Sequence, residues 1–167
     1  MQWSKLRSQV EELFADSVQG RVRLHSTKYR RLHDQEGRAW ITLDGEEILN
    51  MPNLFEWLYQ RRKRAEELAG PHNEPCFWED QAASQLRQES FFCQGDLGEA
   101  MFAYLHLSID DILASDNALI RAIGMLDRRL GKRRLPDLGR SVNHPLVRLL
   151  YVFRCEAEGI KTLRLLG

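Results

Sequence analysis

The sequence predicts an α+β fold: an N-terminal helix and a three-stranded antiparallel meander, followed by a mainly helical C-terminal two-thirds. Three observations predict it. Apolar residues recur at three- and four-residue spacing before residue 15. The period changes to two between Arg21 and Pro52, around an Asp44-Gly45 dipeptide. Beyond Pro52 the helical period returns and holds over most of the remaining chain.

Trp3, Leu6, Val10, Leu13 and Phe14 describe an amphipathic helix over about residues 2–15, which Gly20 breaks. Val22 and Leu24 then alternate with Arg23 and His25, as one face of a strand requires. A polar loop with His33, Asp34, Gln35, Glu36 and Gly37 follows. Ala39, Ile41 and Leu43 point one way and Arg38, Trp40 and Thr42 the other. With Asp44-Gly45 as a two-residue turn, Ile41 is expected opposite Ile48.

Pro52 ends the sheet, and Leu54, Phe55, Leu58, Ala65 and Leu68 carry a helix that stops before Gly70-Pro71. Further helices are expected over 79–93 and 97–107. Ser108-Ile109-Asp110-Asp111 has the capping-box pattern, with Asp in place of Glu or Gln. Asp116 is placed to cap a helix through Leu119, Ile120, Ile123, Leu126 and Leu130, with Gly131 as its stop. Residues 132–143 read as polar and irregular. Asn143 precedes a last helix with Pro145 in its first turn, running to Glu158 before Gly159.

The chain has 167 residues, 43% hydrophobic and 29% charged, the composition of an ordinary globular protein. At this length about 70% of the unfolded surface can be buried, so residues 1–167 are expected to share one domain. Residues 1–52 would supply the helix and small sheet, and 53–167 the helical portion packed on it. No apolar run approaches the ~20 residues that span a bilayer, and Met1 to Arg7 lack the pattern of a signal peptide. The three cysteines Cys76, Cys93 and Cys155 are widely spaced and odd in number, which fits a reducing cytoplasm.

The 24 Lys and Arg cancel the 24 Asp and Glu, but unevenly along the chain. Residues 1–70 hold 12 cations and 11 anions, a net of +1. Residues 71–116 hold Arg87 alone against nine acids, a net of −8. Residues 117–167 hold eleven cations and four acids, a net of +7. One consequence is an acidic middle packed beside the basic end, the two balancing within the fold. The other is a bipolar surface that meets a charged partner.

Two basic clusters are candidate anion sites. The first is Arg21, Arg23, Lys28, Arg30 and Arg31, with Arg38 nearby. Arg forks onto phosphate oxygens, and Tyr29 offers a stacking ring. The second has five cations among residues 128–134: Arg128, Arg129, Lys132, Arg133 and Arg134. Two or three would simply meet the exposed carbonyls of a helix end, and five exceed that need. No G-x-x-x-x-G precedes Lys132, so it is not a P-loop. Arg61-Arg62-Lys63-Arg64 reads instead as a solvated helix surface with pairs such as Arg62 to Glu66.

His25, His33 and Asp34 are the catalytic candidates. Two imidazoles beside a carboxylate could cleave a phosphodiester, one taking a proton and the other giving one. Metal ligation finds little support, since His72 and Cys76 make half a site at most. The chain shows no G-x-S-x-G and no G-x-G-x-x-G, and no cofactor is expected.

Several segments carry a resemblance. They are Trp3-Ser4-Lys5-Leu6, His25-Ser26-Thr27-Lys28-Tyr29-Arg30, Gly37-Arg38-Ala39-Trp40-Ile41-Thr42, Leu126-Asp127-Arg128-Arg129-Leu130-Gly131-Lys132-Arg133 and Arg154-Cys155-Glu156-Ala157-Glu158-Gly159. Over most of its length the chain resembles a family of small bacterial proteins known by a locus-tag name and without an established activity. Members are sometimes labelled non-ribosomal peptide synthetase, which this sequence argues against. It is too short for an adenylation domain, and it lacks H-H-x-x-x-D-G and a carrier-type serine motif. The resemblance implies a bacterial, cytoplasmic, stand-alone domain and transfers no catalytic residue.

Three functions follow as expectations. The first is a non-catalytic binding protein for RNA or another polyphosphate, using Lys28, Arg30, Arg31 and Arg38 together with Arg128, Arg129, Lys132 and Arg133. The second is a small phosphodiesterase or ribonuclease using His25, His33 and Asp34. The third is a regulatory or immunity-like protein–protein module using the acidic segment 71–116.

Overall fold

A computed structural model describes residues 2–28 and 37–161, the side chain of Arg140 excepted. Helix α1 spans Trp3–Glu11 and buries Leu6 and Val10. It ends short of the expected residue 15. Phe14 forms an isolated antiparallel bridge with Asp127. The Ala15 amide donates to the Leu126 carbonyl (2.8 Å), and the Arg128 amide to the Leu13 carbonyl (2.8 Å). Continued helix would have used those backbone groups locally; the bridge uses them to join two distant segments. Phe14 is fully buried in the bridge, as a helix position would also require, so its spacing could not tell the two apart.

Strands β1 (Val22–Ser26), β2 (Ala39–Leu43) and β3 (Glu46–Met51) form the expected antiparallel meander in the order β1-β2-β3. Asp44 and Gly45 have φ of 50° and 91°, the two left-handed residues of a primed hairpin turn. The register differs from expectation. A bulge between Ile41 and Thr42 pairs Ile41 with Leu49, not Ile48. Leu49 is therefore buried, while Ile48 is half-exposed. Gly37 is obligatory at the entry to β2, because a Cβ there would lie 1.6 Å from the Thr27 carbonyl oxygen.

Helix α2 spans Leu54–Ala69, capped by the Asn53 side chain. Its inner face differs from the one the spacing suggests. Trp57, Ala65 and Ala69 are buried, whereas Leu54 and Phe55 face solvent. A 3-10 turn, Pro75–Trp78, leads into α3 (Glu79–Gln88). α3 ends five residues early because Ser90 takes φ 66° and the Phe91 amide turns back to the Leu86 carbonyl (2.8 Å). α4 (Gln94–Tyr104) is tied to the sheet by Gln94, whose amide nitrogen donates to Ser26 Oγ (2.8 Å) and the Thr27 carbonyl (3.0 Å).

α5 (Ile109–Ala114) is capped by Ser108, as expected. α6 (Ala118–Leu126) is capped by Asn117 rather than Asp116; its Oδ1 accepts from the Leu119 and Ile120 amides. α6 stops at Leu126, ahead of Gly131, because Asp127 turns extended to meet Phe14. The segment read as irregular holds a 3-10 turn at Lys132–Arg134, the short α7 (Leu135–Leu138) and a second 3-10 turn at Gly139–Ser141. α8 spans Pro145–Ala157, with His144 as its cap and Gly159 at φ 71° beyond it.

α6 lies at the centre of the core, with every residue except Arg121 buried. Tyr104 of α4, Ile112 of α5 and Tyr151 of α8 are fully buried around it. The main core draws on α1, the sheet and the later helices together. Trp57, Ala65, Ala69, Ala82, Ala83 and Leu86 stand outside it, as a satellite cluster between α2 and α3. No described helix is long and apolar enough to cross a membrane.

Candidate functional site

The second basic cluster sits where α6 ends. Asp127 is fully buried there. It accepts Tyr104 Oη (2.5 Å), the Arg129 amide (2.7 Å) and Arg129 Nη2 (2.7 Å). Burial and the neighbouring carboxylate push the Tyr104 hydroxyl far above its ordinary pKa, so it stays a donor. Arg129 also donates to the Leu107 carbonyl (3.1 Å) and covers the Tyr104 ring. Arg129 is therefore engaged within the fold by Asp127, Leu107 and Tyr104, although its side chain stays 35% exposed.

Its neighbours differ. Arg128 and Arg133 are exposed and have no ion pair among the described residues. The Lys132 ammonium bonds the Glu158 carbonyl, which leaves its charge unpaired. Arg134 reaches Asp110 (2.6 Å). Arg128 and Lys132 line an open groove of about 540 Å³ with Asp16, Ser17, Arg154 and Glu158. Arg154 forms its back wall and is 3% exposed. It donates to the Leu126 carbonyl (3.0 Å) and pairs with Glu158 (3.0 Å), while its Nε has no partner. Desolvation lowers the Arg154 pKa against the opposing pull of Glu158 and Asp127.

The first basic cluster is less exposed to a partner than its composition suggests. Arg38 is held by Glu47 (2.8 and 2.9 Å) and Asn50 (3.0 Å), and lies over the Trp40 ring. Arg21 pairs with Asp44 (2.6 Å) and Arg23 with Glu11 (3.1 Å). Lys28 is exposed. Tyr29, Arg30, Arg31, His33 and Asp34 lie outside the described residues. Of the catalytic candidates only His25 is described. Its ring stacks on Trp40 (4.9 Å between centroids, 7° between planes), and its Nε2 shares a hydrogen bond with Thr42 Oγ1 (2.9 Å). Desolvation lowers its pKa, with Glu11 opposing.

Sequence reasoning missed a second feature, a cleft of about 500 Å³ between α3, α4 and the start of α6. Phe92 and Leu119 form its apolar part, and Asp80, Asp96, Glu99, Asp116, Arg87 and Arg121 its charged rim. Asp96 caps the Cys93 amide (2.8 Å) and faces Arg87 (3.6 Å). Asp80, Glu99 and Asp116 have no ion pair among the described residues. His144 closes one end: its Nε2 is bonded to the Arg87 carbonyl (2.7 Å), and its Nδ1 accepts the Leu146 amide (3.2 Å). Those partners assign the neutral tautomer with its proton on Nε2. The only signal in the sequence was the −8 segment, which supplies most of the rim.

The expected balance of that segment against the basic C-terminal end is largely replaced. Among the described residues only Arg134 to Asp110 joins the two. Glu79 and Glu89 pair instead with Arg61, Arg62 and Arg64 of α2. Among the described residues no group of three His, Cys, Asp or Glu is placed to hold a metal ion.

The model of the SF0329 protein family matches residues 2–155, nearly the whole chain. No curated protein and no solved structure matches.

Proposed function

The chain belongs to the SF0329 protein family, and from that premise we propose a non-catalytic binding protein for an anionic polymer, RNA before other polyphosphates. The observation that carries this reading is the edge after α6. Arg128, Lys132 and Arg133 present three cations to solvent with no carboxylate paired to them, beside a groove backed by Arg154. The pair of Arg129 with the buried Asp127 fixes the path of the backbone that carries these cations. Lys28 and Arg38 are secondary to this edge, since Arg38 must give up Glu47 to bind a phosphate.

The test is fluorescence anisotropy of labelled single-stranded RNA across a salt series, with inorganic polyphosphate as competitor. Affinity is expected to fall linearly on a log–log plot. Arg128→Glu with Arg133→Glu should weaken binding and flatten the slope by about 0.7 for each phosphate no longer neutralised. Failure to bind at low salt, or wild-type affinity in the double variant, overturns the reading.

A second reading is favoured by the uncompensated Asp80, Glu99 and Asp116 around Phe92. That cleft fits a basic side chain with an apolar neighbour, as a partner protein would present. A bacterial cytoplasmic setting suits both readings. Cys76, Cys93 and Cys155 are all free thiols.

A further inference from the structure

The outer face of α2 is an apolar feature that the binding edge does not use. Phe55 and Tyr59 are 60% and 64% exposed, and Phe77 on the adjoining 3-10 turn is 84% exposed. Phe55 and Tyr59 are one helical turn apart, and Lys63 continues the same stripe. The turn holding Phe77 lies on the Arg62 flank of α2, because Glu79 just beyond it reaches Arg61 (2.9 Å) and Arg62 (3.6 Å). Single exposed apolar residues need no explanation; three aromatic ones on two packed elements do.

We propose that this face is a homodimer interface, in which α2 packs antiparallel on α2 of a second copy with Tyr59 near the two-fold axis. Two arguments select a second copy. The first is charge. Glu56 and Lys63 flank the apolar pair on the same helix face, and neither has an ion pair among the described residues. Among the described residues the Glu56 carboxylate accepts only from Gln60 (2.8 Å). An antiparallel pairing centred on Tyr59 brings each Glu56 beside the Lys63 of the other copy, since both lie on the same flank of the helix. A parallel pairing would set Glu56 on Glu56 and Lys63 on Lys63. The face is thus self-complementary in one orientation only, as a two-fold interface requires.

The second argument is area. An aromatic side chain offers about 150–250 Å². At the exposures above, the three aromatic residues present roughly 400 Å² of apolar surface per copy. Two copies supply about 800 Å² of apolar burial. That is the apolar share of an interface of ordinary total size, about 1,200–2,000 Å².

Sedimentation velocity of the full chain from about 1 to 100 µM tests this, the range in which interfaces of this size associate. A monomer–dimer equilibrium is expected. Tyr59→Glu should weaken it at least ~30-fold, as loss of a central anchor does. Glu56→Lys and Lys63→Glu should each weaken it, and the double variant should recover most of the affinity. Tyr59, Glu56 and Lys63 are all exposed, so circular dichroism and thermal melting of these variants should match the wild type. A chain that stays monomeric across the range overturns the proposal. So does a dimer indifferent to Tyr59→Glu, or a charge-swapped pair that does not recover. None of these outcomes depends on RNA binding.

Discussion

Asp127 shows how one buried carboxylate sets the geometry of its surroundings. It holds a tyrosine hydroxyl, a backbone amide and a guanidinium at once, and its charge is matched by Arg129. Asp127→Ala leaves those donors unsatisfied in a dry site. It should cost about 3–5 kcal/mol by urea unfolding, and far more than Arg128→Ala. Gly37 is constrained differently. Gly37→Ala forces Thr27 and Lys28 away from the entry to β2 and should cost several kcal/mol, read as a loss of Tm. His25 supplies a pH signature. Its folded pKa lies below the unfolded value of about 6.5, because its partly buried ring resists charging. The stability it contributes is complete above pH 6.5 and is lost as the pH falls through the folded value. Melting between pH 7.5 and 5 should show a smaller acid loss in His25→Phe, which keeps the stack on Trp40, than in the wild type. An equal loss in both would remove His25 as the source.

Among the elements, the helix ends were the least legible part of the sequence. Both Asp116 and Asn117 are good cap types one residue apart, and only the fold shows which carboxyl or amide oxygen reaches the free amides of α6. Asn117→Ala should cost about 1 kcal/mol and Asp116→Ala a few tenths at most, measured by chemical denaturation. The bulge at Ile41–Thr42 has the same origin. An alternating pattern says which residues share a face but not where one strand carries an extra residue. Leu49→Ala should therefore cost about 2–4 kcal/mol and Ile48→Ala less. The start of α2 misled for a third reason: Leu54 and Phe55 have the composition of an inner face, and Trp57 takes it.

For the whole molecule the telling division is between the main core and the small cluster under α2. The main core joins α1, the sheet and α4 to α8, while α2 and α3 share only a few alanines, Trp57 and Leu86. Arg61 and Arg64, both partly exposed, add ion pairs to Glu79 and Glu89, each worth about 0–1 kcal/mol. Native-state hydrogen exchange should find α2 and α3 opening at lower free energy than α6 and α8. Uniform protection across all four helices would contradict that hierarchy. The charge map has a matching consequence. α2 neutralises part of the acidic segment, while Arg128 and Arg133 at the basic edge after α6 stay exposed to solvent.

Local sequence is enough for the class of the fold, the meander and its turn, the longer helices in order and the five-cation cluster after α6, though not for the short α7. Each of these depends on periodicity, turn chemistry or local composition, which neighbours in sequence are enough to establish. Tertiary structure alone decided which cations are tied and which are free, where α1 and α6 end, and that a cleft opens between α3, α4 and α6. Those features join residues far apart in the chain: Tyr104 to Asp127, Phe14 to Asp127 and Ser17 to Glu158. Long-range pairs of this kind leave no period in the sequence, because nothing local repeats where two segments meet once.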